Sequence, residues 1–170
     1  VEMFTTADRN RGREIADYLE ANNRKRQSTE RSILKQAIDM LGGDALLKDR
    51  YSIVLADENW HPGVVGIVAS RLVDRFNRPT VLIGSAAVNG NGAADGVAGC
   101  YQGSARSIKG TDPDSAPFSM HEALAACGEH LLSHGGHAMA GGVKIAPDRI
   151  DAFAESFERY AAERLSPEDL

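Results

Sequence analysis

Two short apolar runs separated by a helical pattern constrain this chain more than any other feature. Residues 51–56 read Tyr-Ser-Ile-Val-Leu-Ala and residues 80–83 read Thr-Val-Leu-Ile, β-branched and apolar enough to be buried strands. Between them Val64, Val65, Ile67, Val68, Leu72 and Phe76 recur at helical spacing, and Pro62 sits where a first turn needs no N–H. Strand, helix and strand within 33 residues make a βαβ unit, whose strands run parallel through a right-handed crossover. Gly63 and Gly66 on the crossover helix cost stability unless something packs closely against them.

The expected fold is therefore α/β, a small central mixed β-sheet of about five strands flanked by helices, with a long N-terminal bridging helix. From Asp8 to about Leu41 there is no proline, and the apolar positions are sparse: Ile15, Leu19, Ile33, Leu34, Ile38 and Leu41. So polar a helix bridges two bodies or crosses a surface, and Gly42-Gly43 ends it. Asn89-Gly90-Asn91-Gly92 marks a turn between short strands expected at 86–88 and 96–101, and residues 107–118, with Pro113 and Pro117, read as loop. Ser119 and Glu122 have capping-box spacing before a helix expected to reach about Ser133. A tight glycine turn at 135–142 leads into a strand at 143–145. Pro147 breaks that strand before an amphipathic helix over 148–165 that carries Ile150, Phe153, Phe157 and Tyr160 on one face. Residues 1–43 are expected to be a connecting helix or linker, 44–165 the folded unit and 166–170 a tail.

Composition narrows the function classes. The 170 residues are 42% apolar and 25% charged, enough for one core and outside the disordered range. No run of eighteen apolar residues offers a membrane span, and Val1-Glu2-Met3-Phe4 lacks the pattern of a secretory leader. A start without Met points to a fragment of a longer chain. Cys100 and Cys127 are too few for a disulfide framework or a zinc site and are expected to be reduced core thiols in a cytoplasmic protein. A net charge of −5 argues against nucleic-acid binding by bulk electrostatics alone. Residues 9–35 hold eight basic residues against four acidic, a balance of +4 that leaves −9 elsewhere, and the interleaved acids fit a solvated helix face.

Three stretches could carry chemistry. Gly103-Ser104-Ala105-Arg106-Ser107 supplies small residues, hydroxyls and one guanidinium, which a phosphate needs and an ordinary solvated turn also contains. Four glycines surround His137 in the 135–142 turn, so its imidazole either donates to a phosphate or satisfies loop carbonyls. His134 and His137 flank the Gly-Gly pair, and no His-Glu-x-x-His pattern places two metal ligands on one helical face. His61 precedes a helix N-terminus, where free N–H groups and the dipole suit an anion, or where it simply caps; Trp60 reads as a core aromatic.

The block from Trp60-His61-Pro62-Gly63 through Ser70-Arg71-Leu72, then Gly103-Ser104-Ala105-Arg106-Ser107, His121-Glu122-Ala123-Leu124 with Cys127, and His134-Gly135-Gly136-His137-Ala138-Met139-Ala140-Gly141-Gly142 occur in an order and spacing that resemble a known family. The chain resembles the second core domain, the DHH-associated domain, of RecJ-type single-strand-specific 5′-to-3′ DNA exonucleases in the DHH phosphoesterase superfamily. That resemblance implies that Ser104, Arg106 and Ser107 bind a 5′ or neighbouring backbone phosphate, with Gly135 and Gly136 close by. It implies that His137 faces a metal centre across a cleft and steadies the scissile phosphate, and that His61 and Arg71 contribute to substrate binding. Manganese or magnesium is then expected on an N-terminal Asp-His-His domain of the same polypeptide, absent here, with no metal or cofactor in this chain and no activity of this part alone. Single-stranded DNA is the implied partner. A small-nucleotide phosphodiesterase or oligoribonuclease of the same superfamily stays open, as does an RNA-binding module like the tail of alanyl-tRNA synthetase, which shares the Gly-Gly-His turn.

Overall fold

The computed structural model describes residues 9–42, 47–85, 99–109 and 118–170. Helix α1 runs Arg9–Leu41 and stops where Gly42 turns to φ 67°, as its sequence predicts. The βαβ unit follows: β1 Ile53–Asp57, α2 Pro62–Phe76 and β2 Thr80–Ser85, the two strands parallel with Ile53 opposite Thr80. Strand β3 is Tyr101–Arg106, helix α3 Met120–Ala126, strands β4 and β5 Ser133–Gly136 and Ala140–Ile145, and helix α4 Ile150–Arg164. The five strands form one mixed sheet in the order β1-β2-β3-β5-β4, with every pair beyond β1–β2 antiparallel.

Strand alternation divides the core into two layers. Val81, Ile83, Ala105, Val143 and Ile145 meet Met120 and Leu124 of α3 and Phe153 and Phe157 of α4. On the opposite face Leu82 joins Ile53, Val65, Val68 and Leu72 beneath α2, with Ile33, Ala37 and Leu41 of α1 in the same cluster. Trp60 is fully buried there, the core aromatic its sequence context predicts, and its indole N–H donates to Gln36 Oε1 at 2.8 Å. The first part of α1 stands off the domain: Tyr18 is 69% exposed and Leu19 50%. The sparse stripe between Asn22 and Ser28 therefore corresponds to solvent-facing helix.

Several sequence expectations need correction. The helix beginning at Ser119 ends at Ala126; a 3₁₀ turn at Gly128–His130 follows, and the chain enters β4 at Ser133. The side-chain cap expected at Ser119 is present, its Oγ accepting the Glu122 N–H at 3.3 Å. The 135–142 turn is a β-hairpin closed by the Gly136–Gly141 pair, with residues 137–140 as its loop and Ala140 paired instead with Arg106 of β3. The last helix starts at Ile150, after a 3₁₀ turn at Pro147–Arg149. The strand expected at 86–88 lies outside the described residues, as do residues 96–98 of the one expected at 96–101; of its remainder Gly99 and Cys100 are not strand, and only Tyr101 is, where β3 begins. Cys127 is buried, but Cys100 is only half-buried.

Glu158 of α4 binds the leading end of β1. Its carboxylate accepts the N–H groups of Tyr51 and Ser52, at 2.7 and 2.9 Å, and the Ser52 hydroxyl at 2.5 Å. Glu158→Ala should cost about 1–3 kcal/mol by urea unfolding, because it strands three donors, whereas Glu155→Ala on the exposed face should change little. Burial pushes the Cys127 thiol above its ordinary value, and a hydrogen bond with Ser156 offsets this only in part. A thiol reagent at pH 8 should therefore titrate Cys100 in the native protein and reach Cys127 only on denaturation.

Candidate functional site

At β3 the covered half of the sheet gives way to an open half. Ser104 is paired with Leu82 on one side and Gly142 on the other, and Gly142 with Gly135. Alternate residues share a face, so Gln102, Ser104, Arg106, Gly142, Lys144, Ser133 and Gly135 all lie on the α2 side of the sheet. The row that starts as Leu55 and Leu82 under the helix thus continues as Ser104, Gly142 and Gly135. Ser133, Gly135 and Gly142 are exposed, and a Cβ at Gly135 would meet nothing within 4 Å among the described residues.

Helix α2 meets this strip at Gly66. A Cβ there would fall 2.8 Å from Ser104 Oγ and 2.9 Å from Arg106 Nη2, so the close packing required of a helical glycine is supplied by these two side chains. Arg106 Nη1 donates to Ser104 Oγ at 2.9 Å and to the Ala105 carbonyl at 2.7 Å. The guanidinium is held along the strand beside the helix, partly buried, at the border of the open strip. A constrained guanidinium, a hydroxyl and bare sheet backbone together provide charge-assisted donors and room for a phosphate-bearing chain to approach closely.

The other candidates stand apart from this pair. Residues 103–106 are strand, not the turn that glycine and serine suggested; Gly103 is small because a Cβ would meet Val143 Cγ2 at 2.7 Å and Ile83 Cγ1 at 2.9 Å. Ser107 is buried, its N–H donating to the Met139 carbonyl at 2.9 Å and its hydroxyl to the Phe118 carbonyl. His61 caps α2, with Nδ1 accepting the Gly63 N–H at 3.0 Å, while the Val64 and Val65 N–H groups turn back to the His61 carbonyl. The first-turn donors expected to await an anion are thus already engaged. Arg71 faces α1, with Nε 2.5 Å from Glu30 Oε1.

His137 sits exposed between β4 and β5, where its N–H donates to the Ala140 carbonyl at 2.8 Å. His134 lies beside Gly128. Among the described residues no three His, Cys, Asp or Glu side chains converge on one point, so they do not fit a divalent-metal centre. Gln102, Ser133 and Lys144 join the strip without any sequence motif to announce them, whereas Gly142 belongs to the glycine-rich segment already singled out. The period-two spacing of Gln102, Ser104 and Arg106 is the signal that could have placed the first of them beside the other two.

Gly135 and Gly136 differ in what they demand. Gly136 has φ 147°, and a Cβ there would lie 2.3 Å from the Ala140 carbonyl oxygen. Gly136→Ala should lower stability by about 1–3 kcal/mol in thermal melts, while Gly135→Ala should stay within about 0.5 kcal/mol of the parent.

Comparison with known proteins agrees with this architecture. The DHHA1 domain family matches residues 49–163. The chain is 34% identical over its whole length to the single-stranded-DNA-specific exonuclease RecJ of Bacillus subtilis, of which it spans 19%, and 31% identical to that of Haemophilus influenzae, of which it spans 28%. It superposes on the crystal structure of RecJ in complex with Mg2+ from Thermus thermophilus with a TM-score of 0.77 and 30% identity, covering 98% of this chain and 23% of that one. A crystal structure of exonuclease RecJ bound to manganese gives a TM-score of 0.73 at 28% identity, covering 99% of this chain and 38% of that one. The chain thus spans between a fifth and two fifths of these relatives, all of them RecJ exonucleases, and it belongs to the DHHA1 domain family.

Proposed function

We propose that this chain is the strand-gripping part of a RecJ-type 5′-to-3′ exonuclease, binding single-stranded DNA through its 5′ phosphate while the rest of the polypeptide hydrolyses the phosphodiester. The observation that supports this reading best is the Arg106–Ser104 pair, held by Gly66 of α2 at the border of an open, glycine-lined sheet face. In this reading the Arg106 guanidinium donates to phosphate oxygens, and Ser104 turns its hydroxyl from Arg106 toward the same group. Gly135 and Gly142 let the sugar-phosphate chain lie against sheet backbone, and Lys144 adds positive charge one row away. His137, on the hairpin beyond, supports the scissile phosphate across the cleft. Ser107 and His61 act indirectly, one anchoring the end of β3 and the other the start of α2.

Residues 1–43 serve in this reading as the connector to an N-terminal Asp-His-His domain, 44–165 as the binding unit and 166–170 as a tail. In this reading manganese or magnesium chemistry belongs to the rest of the polypeptide, and this chain alone is inactive. A cytoplasmic location belongs to this reading; no helix among the described residues is long and apolar enough to cross a membrane.

In the full-length enzyme, Arg106→Ala should weaken binding of a 5′-phosphorylated single strand by about tenfold or more and erase the preference over a 5′-hydroxyl strand, read by fluorescence anisotropy and single-turnover cleavage. Binding by this chain alone should be weak and fall as salt rises. Unchanged discrimination between the two strand ends in the variant would remove the phosphate role from Arg106. Preferential cleavage of dinucleotides over long strands by the parent enzyme would shift the assignment to a small-nucleotide phosphodiesterase.

A further inference from the structure

Glu30 is buried, with 4% of its side chain exposed, on a helix whose preceding residues from Asn10 to Ser28 include none that is buried. It sits where α1 leaves the domain. Its carboxylate lies 2.5 Å from Arg71 Nε of α2 through Oε1 and 3.2 Å from Arg26 Nη1 of its own helix through Oε2. Six residues later Gln36 Oε1 accepts the indole N–H of the fully buried Trp60 at 2.8 Å. These two polar contacts flank the start of an otherwise apolar seam.

That apolar seam does not define one seat for the helix. Ile33, Ala37 and Leu41 are buried against α2, but Leu34 and Ile38 stand half-buried beside them, roughly 60–100° round the helix axis. Rolling α1 toward Leu34 and Ile38 exchanges one set of aliphatic contacts for another of similar size. Glu30 is the buried member of its pair, Arg71 keeping 56% of its side chain exposed; such a contact does little for net stability but is suited to excluding alternatives, because a misplaced helix leaves the carboxylate desolvated and alone. Glu30–Arg71, a charge contact, and Gln36–Trp60, a hydrogen bond, lie about 9 Å apart along the helix and are made together at only one roll and one slide.

We propose that these two pairs are the device that fixes the orientation of α1 on the domain, and that Arg71 is a positioning residue. Residues Arg9 to Glu30 project over about 32 Å from this point, so whatever they carry is aimed by Glu30. This holds whatever the open face of the sheet binds.

The test is pulsed dipolar electron paramagnetic resonance on spin labels at Asp17→Cys and Asp74→Cys in a Cys100→Ser/Cys127→Ala background. The reference chain should give one narrow distance. Glu30→Met/Arg71→Met/Gln36→Leu replaces the charge pair by apolar side chains but leaves the Trp60 indole N–H without its acceptor, so Tm should fall by several degrees, yet a second distance should appear, because rolling the helix by roughly 60–100° carries the label at position 17 round its axis. A single unchanged distance in that variant overturns the proposal, whatever its Tm. Should the triple variant not fold, Arg71→Gln is measured in its place. A displaced or divided distribution there supports the device, and an unchanged one overturns it.

Discussion

Everything on the open face of this molecule depends on how closely α2 lies on β3. The helix comes so near at Gly66 that a methyl group would collide with Ser104 and Arg106. That approach confines a long, flexible guanidinium to the border between covered and bare sheet. It also closes the apolar layer of Leu82, Val65 and Val68, so the packing that stabilises the domain and the placement of its candidate phosphate ligand come from one contact. A bulkier residue at position 66 would lift the helix or displace the arginine, which is why a helix-weakening glycine is tolerated there.

The sheet itself is asymmetric. Its α3–α4 face is apolar on β1, β2, β3 and β5, while its α2 face changes character at β3, from Leu55 and Leu82 to Ser104, Gly142 and Gly135. A strand with Ala105 buried on one side and Ser104 and Arg106 on the other reads locally as small and polar. Glycine at 103 follows from the crowding of Val143 and Ile83 on the buried side, and glycine at 136 from the turn geometry. Gly135 has neither reason among the described residues.

This explains how much of the molecule is legible in its sequence. The βαβ unit and α4 are readable because their apolar positions obey one period over enough residues, and the end of α1 because Gly42 has no competing role. Trp60 is readable as core from its residue type, at the junction of a buried strand and a helix. β3 reads wrongly as a turn because burial on only one face, against two flanking strands, lets serine and glycine occupy positions where β-branched residues are usual. The Ser107 hydroxyl misleads in the same way: a residue type suited to phosphate is taken up by the Phe118 carbonyl, a partner eleven positions away that no local pattern announces. Glu30 is one acid among many in a solvated-looking helix, and its burial depends on Arg71, forty-one positions on.

The clasp between Glu158 and the start of β1 spans 107 positions for the Tyr51 contact. A chain emerging from the ribosome has made the whole βαβ unit, β3 and the β4–β5 hairpin before that carboxylate exists. Until then the N–H groups of Tyr51 and Ser52 have only water to bind, and the sheet face that Phe153 and Phe157 will cover is bare. Folding of this domain is therefore completed from its last helix backward, and a nascent chain stalled short of α4 presents an apolar sheet to its surroundings.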